Sequence, residues 1–529
     1  MDAQAEALAF LAKGAGLETR GHKIARVDTH ASAVFLVDER ALKLKRAVRF
    51  SYLDYSTVAL REKACRTEFE LNRRIAPALY LGVRRITRDA GGKIALDGEG
   101  ETLDWIVEMR RFDGESLFDR LAEKRALTPA LMRDLADEIA AFHRAAERTE
   151  GGGGNAMARV VAGNAENLRA SACLDQNAVA QLGATTDAAL ARVTPLLDAR
   201  AQQGKVRACH GDLHLGNICL FEGRPTLFDA IEFSPELAHI DVLYDLAFLL
   251  MDLVHRGLNG FANQVMNRYL DLGGDDEGLA ALPLFLSQRA VIRAHVTATA
   301  AQQQEGSARE QRELAARRYL ALAQTLLVPA PPRLIAVGGR SGSGKSTVAQ
   351  AVAPDLPPPP GARVLRSDVM RKAMLGLAPE TPLPAEAYRG AMGKQVYARM
   401  RHEAARVLAT GTSVILDATF LDPDARAEAA LIAKNAGVPF TGFWLEAPRA
   451  LMEARLRERR GDASDATVAV LAGQYEAEPG ALDWRRLNST GPATRVAAAL
   501  RRAAGIQPLT GRAASPRMVD AAEKDGRAR

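Results

Sequence analysis

The strongest constraint on this chain is a glycine-rich segment that reads GRSGSGKS over residues 339–346. An apolar run of buried-strand type, 334–338, precedes it, and a helix-forming stretch, 347–353, follows it. In this context backbone N–H groups surround phosphate oxygens, and the helix N-terminus adds its positive dipole end. The segment predicts a nucleoside triphosphate site in which Lys345 reaches the β- and γ-phosphates and Ser346 ligates Mg²⁺. The predicted nucleotide-binding residues here are Gly339, Ser341, Gly342, Ser343, Gly344, Lys345, Ser346 and Thr347.

A second phosphate-transfer pattern lies far upstream, where residues 210–217 read HGDLHLGN. Asp212 and Asn217 have the D-x-x-x-x-N spacing of a kinase catalytic loop, in which the aspartate accepts the proton of the attacking hydroxyl and the asparagine holds Mg²⁺. Asp229 follows, where a second metal-binding carboxylate is expected at the end of a strand. Glu232 is the alternative to Asp229, or a further ligand. Because phosphoryl transfer depends mostly on positioning and charge neutralisation, this trio predicts a kinase site with Asp212 as the catalytic base.

This segment resembles the aminoglycoside phosphotransferase family of small-molecule kinases, whose signature is HGDLHxxN. Residues 240–247, which read IDVLYDLA, are similar to the helix start that buttresses the catalytic loop of that family. Where the family usually has I-D-F, this chain has both F-D-A at 228–230 and I-E-F at 231–233, and the spacing from Asn217 favours Asp229. The resemblance implies a protein-kinase-like fold of two lobes and phosphate transfer to a small molecule.

The kinase interpretation predicts a β-rich N-terminal lobe. Residues 32–37 and 41–45 alternate like paired strands around a turn, which places Lys43 and Lys45 on one face. One of the two lysines should meet the α- and β-phosphates of the nucleotide. We favour Lys43, and Lys45 is the alternative.

A helix and a strand complete the predicted nucleotide site of this lobe. Residues 66–74 read as a helix, from which Glu68 should pair with the lysine, with Glu70 as the alternative. The apolar strand at 105–110 runs into a hinge. We expect the backbone there, at Met109, to hold an adenine ring.

Downstream of the glycine-rich loop, strands alternate with helices. The predicted strands are 362–367, 412–417 and 439–445. Such alternation implies a parallel sheet, whose ligands bind at the carboxyl ends of the strands. Asp368 and Asp417 are predicted at two of these ends. Asp417 resembles a Walker B carboxylate, which holds Mg²⁺ through water.

Asp368 and Arg371 together resemble the D-x-x-R motif of polynucleotide-kinase-like and zeta-toxin-like small kinases. In that motif the aspartate activates the hydroxyl of the substrate. Arginines at 455, 457, 459 and 460 crowd a predicted helix end and are similar to a lid that supplies cations to the transferred phosphoryl group. Arg459 and Arg460 are the favoured members of this group.

The two halves together resemble a bacterial family that fuses an aminoglycoside-phosphotransferase-like domain to a P-loop domain of AAA and zeta-toxin-like type, and the resemblance covers about residues 20–505. The predicted fold class combines α/β and α+β: a protein-kinase-like domain of two lobes, followed by a P-loop α/β domain with a parallel sheet. A proline-rich stretch at 327–332 marks the joint. The predicted domains are 1–112 (N-lobe), 113–328 (C-lobe), 333–505 (P-loop domain) and 506–529 (disordered tail).

Composition agrees with a globular enzyme. Hydrophobic residues make up 47% and charged residues 25% of the 529 residues, and the net charge is +6. The four cysteines lack C-x-x-C spacing, and no apolar run is long enough to cross a bilayer, so we expect a cytoplasmic protein. The expected ligands are ATP, Mg²⁺ and an unidentified small-molecule acceptor. A nucleotide-driven regulator or nucleic-acid-associated ATPase, with the kinase-like half as a binding module, is the alternative function.

Overall fold

A computed structural model of the chain describes residues 3–17, 24–29, 31–50, 53–383, 391–459 and 461–507. Arg460 and residues 508–529, which include nearly all of the predicted tail, lie outside the described residues. The chain separates into two compact units. The first unit comprises residues 1–256 and 264–328, and the second comprises 257–263 and 329–529. Each unit is described by itself below.

The elements up to residue 328 are mostly strands at first and mostly helices later. The strands are β1 (Ala25–Asp28), β2 (Ser32–Val37), β3 (Arg40–Lys45), β4 (Arg49–Phe50), β5 (Leu53–Asp54), β6 (Tyr80–Arg88), β7 (Ile94–Leu96), β8 (Glu101–Arg110), β9 (Val206–Ala208), β10 (Ile218–Phe221), β11 (Arg224–Leu227) and β12 (His239–Asp241). The helices are α1 (Ala3–Ala12), α2 (Val58–Ile75), α3 (Phe118–Glu123), α4 (Pro129–Ala145), α5 (Gly153–Ala170), α6 (Gln176–Gln202), α7 (Pro235–Ala238), α8 (Val242–His255), α9 (Asn259–Gly273), α10 (Leu282–Ala301) and α11 (Gly306–Leu326).

The main sheet of the first unit has six strands in the order β1-β2-β3-β8-β6-β7, and its paired strands are antiparallel. Successive side chains of a strand point to opposite faces. Leu42 and Leu44 therefore pack in the cluster that includes α1. Ala41 packs in the cluster that includes α2, and Lys43 and Lys45 share its face of β3. The alternation of β3 thus directs both lysines toward α2.

Helix α2 begins after Thr57, whose side chain accepts a hydrogen bond from the N–H of Leu60. It buries Glu68 and Asn72 completely beneath the sheet. After β8 the first unit is mainly helical. Strand β9 precedes the 210–217 loop and pairs with β12, which follows it, and the hairpin of β10 and β11 comes directly after the loop in sequence. Helix α8, buried along most of its length, packs against α10.

The second unit is built around a parallel sheet. Its strands are β13 (Leu334–Gly338), β14 (Arg363–Arg366), β15 (Val414–Asp417), β16 (Phe440–Glu446) and β17 (Arg485–Asn488). Its helices are α12 (Lys345–Val352), α13 (Ser367–Met374), α14 (Ala391–Ala409), α15 (Pro423–Ala436), α16 (Arg449–Glu458), α17 (Val468–Glu476) and α18 (Ala493–Ala504).

All neighbouring strands of this sheet are parallel, in the order β14-β15-β13-β16-β17. Val337 and Arg366 each pair with Asp417, so the carboxyl ends of three strands meet there. Several strand boundaries differ from the prediction by one or two residues, and one of them bears on the site. Strand β14 ends at Arg366, and Asp368 lies in the first turn of α13, where the positive end of the helix dipole stabilises a carboxylate.

The predicted fold class is confirmed: an antiparallel sheet with a helical region forms the first unit, and a parallel α/β sheet forms the second. None of the helices in the described ranges combines the length and the apolar character that a bilayer crossing needs.

Candidate active sites

In the first unit, Lys43 contacts two carboxylates. Its Nζ lies 2.8 Å from Glu68 Oε1 and 2.5 Å from Asp229 Oδ1. Burial alone would lower the pKa of Lys43, but the charges of Asp229 and Glu68 raise it well above its ordinary value. The predicted lysine, its helical partner and the favoured metal ligand therefore form one contact group. Glu70, the alternative to Glu68, is exposed.

Lys45, the alternative lysine, forms a parallel arrangement with the alternative carboxylate. It pairs with Glu232 and also with Glu68. Tyr55 donates its hydroxyl proton to Glu232 across 2.7 Å. The two lysines are thus divided between the two acidic residues: Lys43 contacts Asp229, and Lys45 contacts Glu232.

Asp212 is held inside the 210–217 loop by its own neighbours. The side-chain amide of Asn217 donates to the carbonyl oxygen of Asp212 and to its Oδ2, each across 2.9 Å. His214 Nε2 lies 3.4 Å from the same carboxylate. Burial would raise the pKa of Asp212, but His214, together with His210 and Arg293, lowers the pKa well below its ordinary value. Asp212 is therefore ionised, as a proton acceptor must be.

Asp229 adopts a left-handed backbone conformation, with a φ of 63°, which is uncommon for any residue except glycine and asparagine-like side chains. Its N–H donates to the hydroxyl of Tyr80 across 3.1 Å, and the next N–H, of Ala230, donates to Asn72 across 2.8 Å. Lys43 lowers the pKa of Asp229 against the effect of burial. Two successive N–H groups thus fix this left-handed backbone, which holds the carboxylate of Asp229 against the lysine.

Residues outside the predicted set support the 210–217 loop. Asp245 accepts hydrogen bonds from the N–H groups of His210 and Gly211, at 3.0 and 2.9 Å, and contacts His143 across 3.0 Å. Arg289 donates to the carbonyl oxygen of Gly211 across 3.0 Å. The stretch that contains Asp245 carried a sequence signal, whereas Arg289 lies in a helix with no local motif.

Met109 lies one residue before the end of β8 and pairs with Ala41. Its side chain is buried in the cluster that also holds Leu79 and Tyr80. The side chain therefore belongs to the core, and contact of the backbone with an adenine ring stays a prediction.

In the second unit, the glycine-rich loop runs from β13 into α12, which begins at Lys345. Gly339, Gly342 and Gly344 have φ values of 137°, 80° and 89°. A Cβ at Gly342 would lie 2.6 Å from the carbonyl oxygen of Met452, and one at Gly339 would lie 2.6 Å from that of Leu445. The loop therefore requires glycine for both its conformation and its space.

The side chain of Lys345 folds onto this loop, where it donates to the carbonyl oxygen of Arg340 across 3.0 Å. Burial lowers its pKa. The Ser346 hydroxyl bonds to Asp417, whose pKa burial raises. Ser343, also predicted, is buried, and its hydroxyl has no hydrogen-bond partner among the residues that the structure covers. Thr347 is exposed in the first turn of α12.

The predicted acceptor-site pair forms a direct contact, since Arg371 Nη1 lies 2.9 Å from Asp368 Oδ1. Arg459 follows α16 and lies near enough to Lys345 to help lower the pKa of that lysine, after burial. The negative charges of Asp417 and Asp368 act in the opposite direction and raise the pKa of Lys345. The structure therefore gathers Asp368, Asp417 and Lys345 at one edge of the sheet.

Further contacts at this edge involve Arg455, which belongs to the predicted arginine group, and two residues without a sequence signal, Arg366 and Gln474. Arg366 lies 3.4 Å from Asp417 and 2.9 Å from Asp462. Arg455 donates to the carbonyl oxygen of Gly342 across 3.3 Å. The side-chain oxygen of Gln474 accepts a hydrogen bond from the N–H of Ser341 across 2.8 Å. The side-chain nitrogen of Gln474 donates to the Ser341 hydroxyl across 2.9 Å.

Both sites fit Mg²⁺, which prefers oxygen ligands. Asn217 and Asp229 supply such oxygens in the first unit. Ser346 and Asp417 supply them in the second, beside a glycine cradle that a Cβ would fill.

Comparison with known proteins agrees with this division. Residues 33–282 match the family model described as a phosphotransferase enzyme family, and residues 334–477 match one described as an AAA domain. An uncharacterised protein of Mycobacterium tuberculosis (strain ATCC 25618 / H37Rv) is 30% identical over 482 residues, which cover 88% of this chain and 93% of that protein. The chain belongs to the family of this mycobacterial protein. It is a kinase-type enzyme with a phosphotransferase region and a P-loop nucleotide-binding region.

Two solved structures are similar over part of the chain. A choline/ethanolamine kinase family protein from Mesorhizobium loti is 16% identical, covers 61% of this chain and 99% of its own, and has a TM-score of 0.37. A sugar kinase from Janibacter sp. HTCC2649 is 21% identical, covers 34% of this chain and 97% of its own, and has a TM-score of 0.26.

Proposed function

We propose that this kinase has two ATP sites, and that the first unit transfers the γ-phosphate of ATP to a hydroxyl group of a small molecule. The observation that carries the proposal is the contact group of Lys43, Glu68 and Asp229, in the same unit as Asp212 and Asn217. A module that only binds nucleotide has no need of an ionised carboxylate at the position of the base.

In this reaction the acceptor oxygen forms a bond to the γ-phosphorus, the bond to the bridging oxygen of ADP breaks, and the hydroxyl proton passes to Asp212. Lys43, held by Glu68, binds phosphate oxygens. Asn217 keeps the carboxylate of Asp212 turned toward the acceptor through its 2.9 Å hydrogen bond. Asn217 and Asp229 would hold Mg²⁺, which neutralises phosphate charge when bound.

For the second unit we propose ATP binding on the glycine-rich loop, with Ser346 and Asp417 as the Mg²⁺ ligands. Asp368 would accept the proton of a second acceptor, and Arg371, 2.9 Å away, would orient its carboxylate. Lys345, Arg459 and Arg460 would bind the phosphates.

The test is phosphate transfer from radiolabelled ATP to a pool of hydroxyl-bearing metabolites and to an oligonucleotide pool, with full-length protein. Asp212→Asn should remove the products of the first unit, and Lys345→Ala should remove those of the second. Asp187→Asn, an exposed aspartate on α6, is the matched control and should change neither. Product formation that survives in the protein carrying both Asp212→Asn and Lys345→Ala would contradict the proposal. Transfer to oligonucleotides alone would favour the nucleic-acid-associated alternative.

A further inference from the structure

Helix α10 brings an arginine to the catalytic loop of the first unit. Arg289 donates to the carbonyl oxygens of Gly211 and Tyr244, each across 3.0 Å. Its guanidinium also lies over the rings of Tyr244 and Phe248, at 3.9 and 4.7 Å. Arg289 thus fixes this face of α10 against the residue that precedes Asp212.

Arg293 lies one turn further along the same face of α10, because residues four apart in a helix are neighbours. It is close enough to Asp212 that its charge helps His214 and His210 to lower the pKa of that carboxyl against the effect of burial. Its guanidinium carbon lies 5.7 Å from the centre of the Tyr319 ring. Among the described residues, Arg293 makes no hydrogen bond and no ion pair. A half-buried guanidinium beside the base thus keeps its five N–H donors for a ligand.

An aromatic wall stands next to Arg293. The rings of His255 and Tyr319 are stacked, with centroids 3.9 Å apart and planes inclined by 16°. Burial lowers the pKa of His255 to about 4, so its ring is uncharged near neutral pH. Tyr319 is buried and His255 is only partly so, which leaves a neutral ring, rather than a charged group, beside Arg293.

The acidic groups on this side are already used. Asp252 accepts a hydrogen bond from the N–H of Leu215 across 3.1 Å and pairs with Arg256 across 3.0 Å. The negative charge of Asp119 also helps to raise the pKa of Arg256. These carboxylates balance Arg256 and the loop, whereas Arg293 forms no ion pair within the part of the chain that the structure describes.

We propose that the acceptor of the first unit carries an anionic group, a phosphate or a carboxylate, that Arg293 binds, while the rest of the acceptor lies beside His255, the partly exposed ring of the stacked pair. This inference rests on the proposed phosphate transfer and names the chemical class of its acceptor. Guanidinium groups bind phosphate and carboxylate through paired, charge-assisted hydrogen bonds. The same charge repels a cationic acceptor, such as an amino sugar or a quaternary amine.

The experiment measures binding of four small probes to the full chain by saturation-transfer NMR, with ADP and Mg²⁺ present in excess. Glycerol 3-phosphate and glycerate carry the two anionic groups, glycerol carries none, and choline carries the opposite charge. We expect the anions to bind wild-type protein, and the stronger of them identifies the preferred group. Arg293→Gln should weaken anion binding by about 10-fold or more, since it removes the charge-assisted hydrogen bonds of the guanidinium. Arg293→Lys should retain most of it, and sulfate should compete in the wild type.

The control is Arg312→Gln, which removes the same charge from an exposed position of α11 and should bind like the wild type. Stronger binding of choline than of either anion would overturn the inference. So would anion binding that Arg293→Gln leaves unchanged, or an equal loss in Arg312→Gln. Asp212→Asn separates the two proposals, because it should retain anion binding and lose transfer. If anions bind through Arg293 but neither the wild type nor any variant transfers phosphate, the proposed reaction is wrong and the anion site stands.

Discussion

Gly342→Ala should selectively weaken ATP binding by the second unit. The backbone of Gly342 has a φ of 80°, which costs a residue with a Cβ about 1–2 kcal/mol. The new Cβ would also lie 2.6 Å from the carbonyl oxygen of Met452 and 3.0 Å from its Cα, which are backbone atoms that cannot rotate away. The loop must therefore move.

The size of the effect follows from the clash. Overpacking of this kind costs about 1–3 kcal/mol. Because phosphate binding requires the loop in its undistorted form, that energy is lost from the affinity, which should fall by about 5- to 150-fold. Gly437→Ala is the matched control. Its φ is 66°, so the conformational cost is similar, but no atom lies within 4 Å of its Cβ.

Calorimetric titration with ATP and Mg²⁺ provides the measurement, in a Lys43→Ala background that weakens the site of the first unit. Thermal unfolding should show a similar conformational destabilisation in both glycine variants, with an added loss in Gly342→Ala. Unchanged ATP affinity in a folded Gly342→Ala protein would refute the reasoning. An equal loss in Gly437→Ala would refute it as well, because that variant has no clash.

Three more outcomes can be measured. The low pKa of Asp212 keeps it ionised, so transfer by the first unit should not decline through this group between about pH 8 and about pH 5.5; a pH–rate profile in which Asp212 titrates near neutrality would contradict this. Asp229→Ala should reduce transfer by about 100-fold or more. Glu232→Gln should mainly lower the free energy of unfolding in urea, by at most about 3–5 kcal/mol. The reverse result would make Glu232 the metal ligand. Asp417→Asn should weaken Mg²⁺-dependent ATP binding, whereas Asp368→Asn should leave it intact and stop transfer by the second unit; equal loss of affinity in both would identify Asp368 as a metal ligand.

Local sequence patterns were sufficient for much of the fold and for the contact group of the first unit. The strict alternation of β3 places Lys43 and Lys45 on one face, and the spacing after Asn217 marks both Asp229 and Glu232. The choice between the two pairings depends on contacts between residues about 186 positions apart, such as Lys43 with Asp229. No local rule reaches that far, so the sequence left both alternatives open.

The residues that the sequence did not indicate share a physical reason. Arg293, Arg366 and Gln474 lie in regular elements, where no motif spacing marks a role. Their importance comes from where packing puts them: beside Asp212, beside Asp417, and against Ser341. An arginine in a helix is usually a solvated surface residue, and only tertiary contacts distinguish the exceptions.

The two proposed sites neutralise phosphate charge by different means, and this difference governs how each responds to mutation. In the first unit the cation is a side chain, Lys43, aligned by Glu68, so a single side-chain truncation removes the contact directly. In the second unit much of the binding comes from backbone N–H groups of the loop, which no side-chain substitution deletes. Truncating Lys345 therefore removes one contact, whereas a Cβ at Gly342 changes the direction of several N–H groups at once. For that reason a glycine variant, rather than a lysine variant alone, tests whether the backbone of this loop binds the nucleotide.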